Sequence, residues 1–362
     1  INKSVPYHLK AKYGLVNATN PCSEVPMYPY EECCLGAINL AEHVDEDGSV
    51  DASKLIKTTW AAVEFLDKVL DVSRAPLDKI LRMRYRRRRI GLGIMGLADA
   101  LIKMGLKYDA PEGRTAAADM MRTIAYSAHG QSCILGKEKG FPEEVETLGR
   151  RNIALLTVAP TGTTSMLAGV AGGVEPIFSK TISRRVGNDY IQIENPLASY
   201  PAFITAHEVA PADHVLMQAA VQNAMLGDNP TIANAISKTI NLPHDATVAQ
   251  VEAAYRLAWL SGCKSVTVYR DGSRANQILT VKEDEEPVSA PEYRDMHQLE
   301  VLGASGAPTR EPTVEGRTYK YDVGNRKVYV TVNHNRANQL VDGVINLSRP
   351  ADQEAGAADV EG

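Results

Sequence analysis

Apolar residues recur at helical spacing over residues 52–74, through Leu55, Ile56, Trp60, Val63, Leu66, Val69 and Leu70, and the pattern predicts an amphipathic helix. A second helix is predicted over 116–139, closed by Gly140 and then Pro142. Between them, Leu92, Met95, Leu97, Leu101 and Ile102 continue a helical pattern across 90–104, while Gly91, Gly93 and Gly96 mark a place where another backbone comes close. The first fifty residues read differently, because Pro21, Pro26 and Pro29 break any helix and leave loops and short strands. Residues 153–158 form a short apolar, β-branched run of the kind that makes a buried strand. That run enters Ala159-Pro160-Thr161-Gly162-Thr163-Thr164-Ser165, a turn of small hydroxyl residues. Residues 214–260 alternate helical stretches with turns, and 265–269 is a further strand candidate. Strands alternating with helices place the chain in the α/β class.

The texture changes near Lys282, where acidic and proline-containing residues predict a linker over 282–316. Residues 317–335 alternate β-type positions (Tyr319, Tyr321, Val323, then Val328, Val330, Val332) and predict a small hairpin. The stretch 336–362, ending in an Ala/Glu/Asp/Gly-rich segment, predicts a disordered tail. The main domain is therefore expected over 1–281. Hydrophobic residues at 44% and charged ones at 23% are those of a globular chain, and with 6% aromatics the core must rest on Ala, Val, Leu and Ile. A net charge of −5 gives no reason to expect nucleic-acid binding. No apolar run approaches the roughly 20 residues needed to span a bilayer. The first residue is Ile with no signal segment after it, which predicts a start inside a longer reading frame or a processed chain. Five cysteines, three of them (Cys22, Cys33, Cys34) near the start with Cys133 and Cys263 apart, make a poor disulfide framework and predict reduced thiols in the cytoplasm or a redox-active pair. His207, His214 and His244 lack metal-ligand spacing and are expected to be structural or on the surface.

The segment with most chemistry is Asn20-Pro21-Cys22-Ser23-Glu24, followed by Cys33-Cys34-Leu35-Gly36-Ala37-Ile38-Asn39-Leu40. A proline-braced turn presents an amide, a thiol and a carboxylate within five residues, a set that suits one sugar-sized substrate. The plainer alternative is a packed apolar thiol beside a surface carboxylate. Gly91-Leu92-Gly93-Ile94-Met95-Gly96 has dinucleotide-loop spacing, but a basic segment precedes it instead of an apolar strand, which disfavours that use. The basic run 82–89 is expected to form a solvated face. The 159–165 turn suits phosphate binding by successive backbone amides, or an ordinary helix cap.

Together these segments resemble the ribonucleotide reductases, from Val16 to Arg274 and in the family's order. The Cys22 and Cys33 segments are similar to the family's finger-loop signature, with Cys34 where Asn is usual and Ala37 where Ser is usual. The glycine-rich segment at 90–99 resembles a packing helix of the family. The loop at 159–165, continued by Gly173-Val174-Glu175-Pro176, resembles the one that holds substrate phosphates through Pro160, Thr161, Gly162, Thr163, Thr164 and Ser165. Ser237-Lys238-Thr239-Ile240-Asn241-Leu242-Pro243 and Thr267-Val268-Tyr269-Arg270-Asp271-Gly272-Ser273-Arg274 look like late segments of the coenzyme-B12 class.

The resemblance implies the second half of a ten-stranded α/β barrel, with the Cys22 loop at its centre and a small carboxy-terminal β hairpin. It implies a thiyl radical on Cys22 that removes the ribose 3′-hydrogen, Glu24 taking the 3′-hydroxyl proton, Asn20 hydrogen-bonding at the sugar and Cys33 as a reducing thiol. Val268 and Arg270 flank Tyr269, so the adjacent tyrosines of metal-subunit reductases are missing, and adenosylcobalamin is the implied radical source. The implied partners are a ribonucleotide substrate, an amino-terminal half and a thioredoxin-like or small-thiol reductant. No cysteine follows Cys263, where the family usually has an electron-passing pair. Two other readings stay open: an orphaned non-catalytic fragment, and a class I large subunit with a metal-containing partner.

Overall fold

Two short strands, β1 (Ala18–Thr19) and β2 (Pro26–Met27), pair antiparallel around the proline-braced loop. They are followed by β3 (Cys34–Asn39), α1 (Ala52–Val72), α2 (Asp78–Arg87), β4 (Ile90–Met95), α3 (Leu97–Lys103) and α4 (Pro111–Lys139). Next come β5 (Leu156–Val158), α5 (Gly162–Ala168), β6 (Thr181–Val186), β7 (Asp189–Glu194), α6 (Pro211–Leu226), β8 (Ala233–Ile236), β9 (Thr239–Leu242), α7 (Val248–Leu260) and β10 (Thr267–Arg270). The computed structural model describes residues 16–186, 189–226, 233–273, 315–323, 326–334 and 340–347. The chain divides into two units, 1–283 and 284–362.

In the first unit, β3, β4, β5 and β8 form a sheet in that order, and every neighbouring pair is parallel. Parallel neighbours need long crossovers. Helices α1 and α2 make the one from β3 to β4, and α3 with α4 the one from β4 to β5. Helix α1 starts where the Asp51 side chain accepts from Lys54 N and buries Leu55, Thr59, Val63, Leu66 and Leu70. Helix α4 starts at Pro111 and ends at Gly140, whose φ of 87° excludes further helix. Their apolar faces join Leu92, Ile94, Leu97, Leu101, Met121 and Ile124 in one core. Strands β9 and β10 form a separate parallel pair.

The helix expected over 90–104 is only half right. Residues Ile90–Met95 are a strand with all six positions buried, and helix begins at Leu97. A run covered on both faces has no alternation, so its apolar and glycine residues mimicked a helical period. The glycines serve strand packing. A Cβ on Gly93 would lie 2.2 Å from the carbonyl oxygen of Thr157, and one on Gly91 would lie 2.4 Å from the Thr157 methyl. These glycines lie within a strand, so they form neither a packing helix nor a nucleotide-binding turn.

The basic run is a solvated face only at Arg82, Tyr85 and Arg86. Arg84, Arg87, Arg88 and Arg89 are buried, and each meets a carboxylate brought by another element. Arg84 pairs with Glu32; Arg87 pairs with Glu31 at 2.9 Å and Glu144 at 2.6 Å; Arg89 reaches Glu31 at 3.0 Å and Asn234 Oδ1 at 2.6 Å. Arg88 joins Asp67 at 2.8 Å and Asp71 at 2.7 Å, which ties α1 to the start of β4. Arg151 and Asn152 complete the shell around the Asp67 carboxylate. Buried charges persist only when paired in this way. Glu31 and Glu32 immediately precede Cys33 and Cys34, so three arginines fix the segment that carries these thiols.

In the second unit, β11 (Glu315–Val323), β12 (Arg326–His334) and β13 (Leu340–Leu347) form an antiparallel sheet. The expected hairpin occupies the first two strands. The third lies in the stretch expected to be a tail, where the pairing partner β12 supplies the order that composition does not. The expected linker falls almost wholly outside the described residues, as does the tail beyond residue 347.

Gly93→Ala would force the Thr157 backbone away and is expected to cost about 1–3 kcal/mol, read as a lower urea midpoint at unchanged slope. A second expectation concerns Glu31. Burial alone would raise its carboxyl, but Arg89 and Arg87 outweigh this and hold it below the ordinary glutamate range. Its contribution is therefore present above the unfolded value of about 4.3 and is lost as pH falls through the lower folded value. Glu31→Gln is expected to remove that part of the acid dependence and to cost about 3–5 kcal/mol near neutral pH by stranding Arg89, while Arg87 keeps Glu144. Urea titrations of both proteins across pH 3–7 check this, and equal slopes of stability against pH would contradict it.

Candidate active site

The loop between β1 and β2 carries Asn20, Cys22 and Glu24, and its shape is set locally. The Asn20 side-chain oxygen accepts from Val25 N at 2.9 Å, and its backbone oxygen accepts from Ser23 N at 3.0 Å. Ser23 takes a left-handed φ of 66°, which turns the chain sharply after Cys22. With its oxygen used inside the loop, the Asn20 amide presents its NH2 as the outward donor. Cys22 is exposed at the tip.

Glu24 is anchored by its backbone. Its carbonyl oxygen accepts from Ala235 N on β8 and from the Thr157 hydroxyl on β5, each at 2.7 Å. The side chain is 2% exposed, yet its Oε2 has no hydrogen-bond partner among the described residues. A buried acceptor left without a donor is costly, and such a group in a native structure is often reserved for a ligand.

Cys33 stands just before β3 with its sulfur over β4. A Cβ on Gly91 would lie 3.0 Å from Cys33 Sγ and 2.4 Å from Thr157 Cγ2, so thiol, glycine and threonine share one small space. Burial pushes the Cys33 thiol up to about 12, against the opposing pull of Arg89. Partial desolvation and the nearby Glu24 charge also raise Cys22. Both sulfurs are therefore thiols at neutral pH. The Glu24 charge is among the causes that raise both thiols.

The 159–165 turn follows β5 directly, two residues after Thr157. Thr161 has a left-handed φ of 53° and starts α5, while Pro160, Gly162, Thr163 and Thr164 are exposed and Ser165 is buried. The first helical acceptor contact is Ser165 N to Thr161 O at 2.7 Å. The amides of Gly162, Thr163 and Thr164 thus precede the helical ladder and point out of the helix start. The turn is a helix start, without a side-chain cap from Thr161. One strand end therefore carries Thr157, which holds Glu24, and the turn that opens beside it.

Thr157, Glu31, Arg89 and Asn234 were missed as site residues. The acidic doublet before Cys33 and the arginine run were the available signal, since clusters of opposite charge invite pairing. Of the three histidines, His214 is buried and bonded, in line with a structural place. Among the described residues no cluster of His, Cys, Asp or Glu could hold a metal ion, and no helix is long and apolar enough to cross a membrane.

A family model described as ribonucleotide reductase, barrel domain, matches residues 1–144 and 141–269. The vitamin B12-dependent ribonucleoside-diphosphate reductase of Mycobacterium tuberculosis is 40% identical over 306 residues, covering 74% of this chain and 43% of that protein. The protein of the same name from Thermoplasma acidophilum is 36% identical over 326 residues, covering 79% of this chain and 41% of its own length. Among solved structures, the Actinobacillus ureae class Id ribonucleotide reductase alpha subunit has a similar fold, with a TM-score of 0.62 at 22% identity over 75% of this chain and 56% of that one. The chain spans about two-fifths of the length of those curated relatives. The matched family model runs through the Cys22 loop, Cys33, β5 and its turn, and the chain belongs to the ribonucleotide reductase barrel-domain family.

Proposed function

We propose that this chain forms the radical-bearing part of an enzyme that reduces ribonucleotides to 2′-deoxyribonucleotides, with adenosylcobalamin as the radical source. The observation that carries the reading is the buried, unbonded Oε2 of Glu24, on a loop whose backbone Thr157 holds and whose tip exposes Cys22. In this reading the ribose lies over the loop. Glu24 takes the 3′-hydroxyl proton, and the Asn20 NH2 donates to a sugar oxygen. Cys22 loses its thiol hydrogen, and the resulting thiyl radical removes the 3′-hydrogen of the sugar. Cys33 and a cysteine of the amino-terminal half supply two electrons and two protons and end as a disulfide, the 2′-hydroxyl leaves as water, and the 3′-hydrogen returns from Cys22 to the sugar. A thioredoxin-like protein or small thiol then reduces that disulfide.

The amides of the Gly162, Thr163 and Thr164 turn, with Pro160, Thr161 and Ser165 shaping it, take the phosphates. Phosphate and sugar ends are then read from one strand, β5. The parallel sheet is half of a ten-stranded barrel, completed by that amino-terminal half, and the cell compartment is the cytoplasm. The cofactor question is tested by Cys22 itself: a protonated thiol on an exposed tip suits hydrogen-atom transfer to a group presented from outside the sheet. Bound adenosylcobalamin supplies that radical chemistry, and Cys22 is the residue that would face it.

The test is deoxynucleotide formation from ribonucleoside di- and triphosphates with adenosylcobalamin and dithiothreitol, for this chain alone and with a homologous amino-terminal half. Turnover is expected only with the added half, and Cys22→Ser is expected to abolish it. Turnover that ignores cobalamin but needs a metal-containing subunit would replace this reading with the class I one. A folded assembly without turnover would leave a non-catalytic fragment.

A further inference from the structure

Lys238 lies between β8 and β9 and is 1% exposed, a place where a lone ammonium would be very costly. Its Nζ donates to Glu175 Oε2 at 2.7 Å, to His214 Nδ1 at 2.9 Å and to Thr239 O at 3.2 Å. The Tyr108 ring lies beneath it, 5.7 Å to the centroid. His214 Nε2 meets the carbonyl of Ala206 at 3.0 Å, and a carbonyl can only accept, so the proton is on Nε2 and Nδ1 is the acceptor for Lys238. Burial and the Lys238 charge push His214 down to about 3, so it stays neutral. Glu175 is then the countercharge of a fully buried cation.

Glu175 passes that anchorage on. Its Oε1 accepts from Thr239 N at 2.7 Å, and its own amide donates to Gly172 O at 2.8 Å. Tyr108 donates its hydroxyl to the carbonyl oxygen of Val174, the residue before Glu175. This fixes the 172–175 turn to β9 and to the core. That turn is the wall behind the 160–165 loop. A Cβ on Gly172 would lie 2.6 Å from Pro160 O, a Cβ on Gly173 would lie 2.8 Å from Ala159 O, and Gly173 N donates to Thr161 Oγ1 at 2.9 Å. A shift of Glu175 therefore reaches Thr161, the residue whose left-handed conformation aims the first amides of α5.

We propose that Lys238, acting through Glu175, is a positioning residue that holds the 160–165 loop in its phosphate-binding shape. This rests on the reading of that loop given above. Neither side chain touches substrate; they set where the amides stand.

The experiment uses the reductase assembled from this chain and its amino-terminal half and compares KM with kcat. Thr164→Glu puts a carboxylate on the exposed loop and tests the loop itself, with KM for the ribonucleotide expected to rise about tenfold. Lys238→Met strands Glu175 and is expected to raise KM by a similar factor, about tenfold, while kcat stays within about twofold. Glu175→Gln strands Lys238 and is expected to act alike. The double variant leaves no buried charge and keeps an acceptor for Thr239 N, so KM is expected to return to within about threefold of the parent.

A merely structural role would lower thermal stability and the active fraction with KM unmoved, and that result would overturn the proposal. If Thr164→Glu raises KM and none of the Lys238 or Glu175 variants does, the loop binds phosphate without this support. If Thr164→Glu leaves KM unchanged, the reading of the loop fails and the inference falls with it. Should Lys238→Met not fold, Glu175→Gln and the double variant decide the matter by the same comparison.

Discussion

Thr157 sits where three parts of the structure come into contact, and each uses a different piece of the residue. Its hydroxyl lies 2.7 Å from the Glu24 carbonyl and 3.0 Å from the Ala235 carbonyl, so one proton serves the loop and the neighbouring strand. Its methyl occupies the space that a side chain at Gly91 would need, and its backbone oxygen occupies that of Gly93. The close approach of β4 to β5 therefore fixes both how far Cys33 stands from the sheet and how deep Glu24 sits. Interiors are packed densely enough that such a contact cannot slip without moving its neighbours. The loop that carries Cys22 is in this sense a continuation of core packing, and the glycines that permit it shape the candidate site as much as the fold.

Charge does the corresponding work on the other side of Cys33. Burying Arg84, Arg87, Arg88 and Arg89 is favourable only because each meets a carboxylate, and replacing such pairs by apolar groups often costs nothing. What the pairs provide is direction: Glu31 and Glu32 reach back to specific arginines, so the thiol after them has one position. Glu24 Oε2 is a buried carboxylate oxygen without a hydrogen-bond partner among the described residues, and Arg89 Nε and Asn234 Nδ2 are likewise unbonded. The Lys238–Glu175 pair repeats the arrangement under the second loop, where a buried cation orients a carboxylate and the carboxylate orients the backbone.

Much of this was legible before any coordinates. The helix at 52–72 and the long helix ending at Gly140 carry their own stop signals, and the strand at 156–158 is a β-branched run between turn residues. The candidate site residues Asn20, Cys22 and Glu24 are visible as a short cluster of complementary chemistry in a proline-braced turn, with Cys33 following, and the family resemblance implies roles for them. These features are local: propensity, capping and turn chemistry act over a few residues, so the sequence by itself determines them.

What the sequence left undecided depends on partners far away along the chain. Ile90-Gly91-Leu92-Gly93-Ile94-Met95 suits a helix period as well as a buried strand, and the choice fell to β3 and β5, which cover it on either side. The arginine run is compatible with a solvated face until Glu31 and Glu32 arrive from 50 or more positions upstream. Thr157 looks like an ordinary strand residue until the Glu24 carbonyl, 133 positions away, lands on its hydroxyl. Lys238 and Glu175, 63 positions apart, are equally unremarkable alone. Local sequence sets which conformations are cheap, whereas the cost of burying a charge or an unbonded polar group is met only when the tertiary fold brings its partner, and that pairing decided this site.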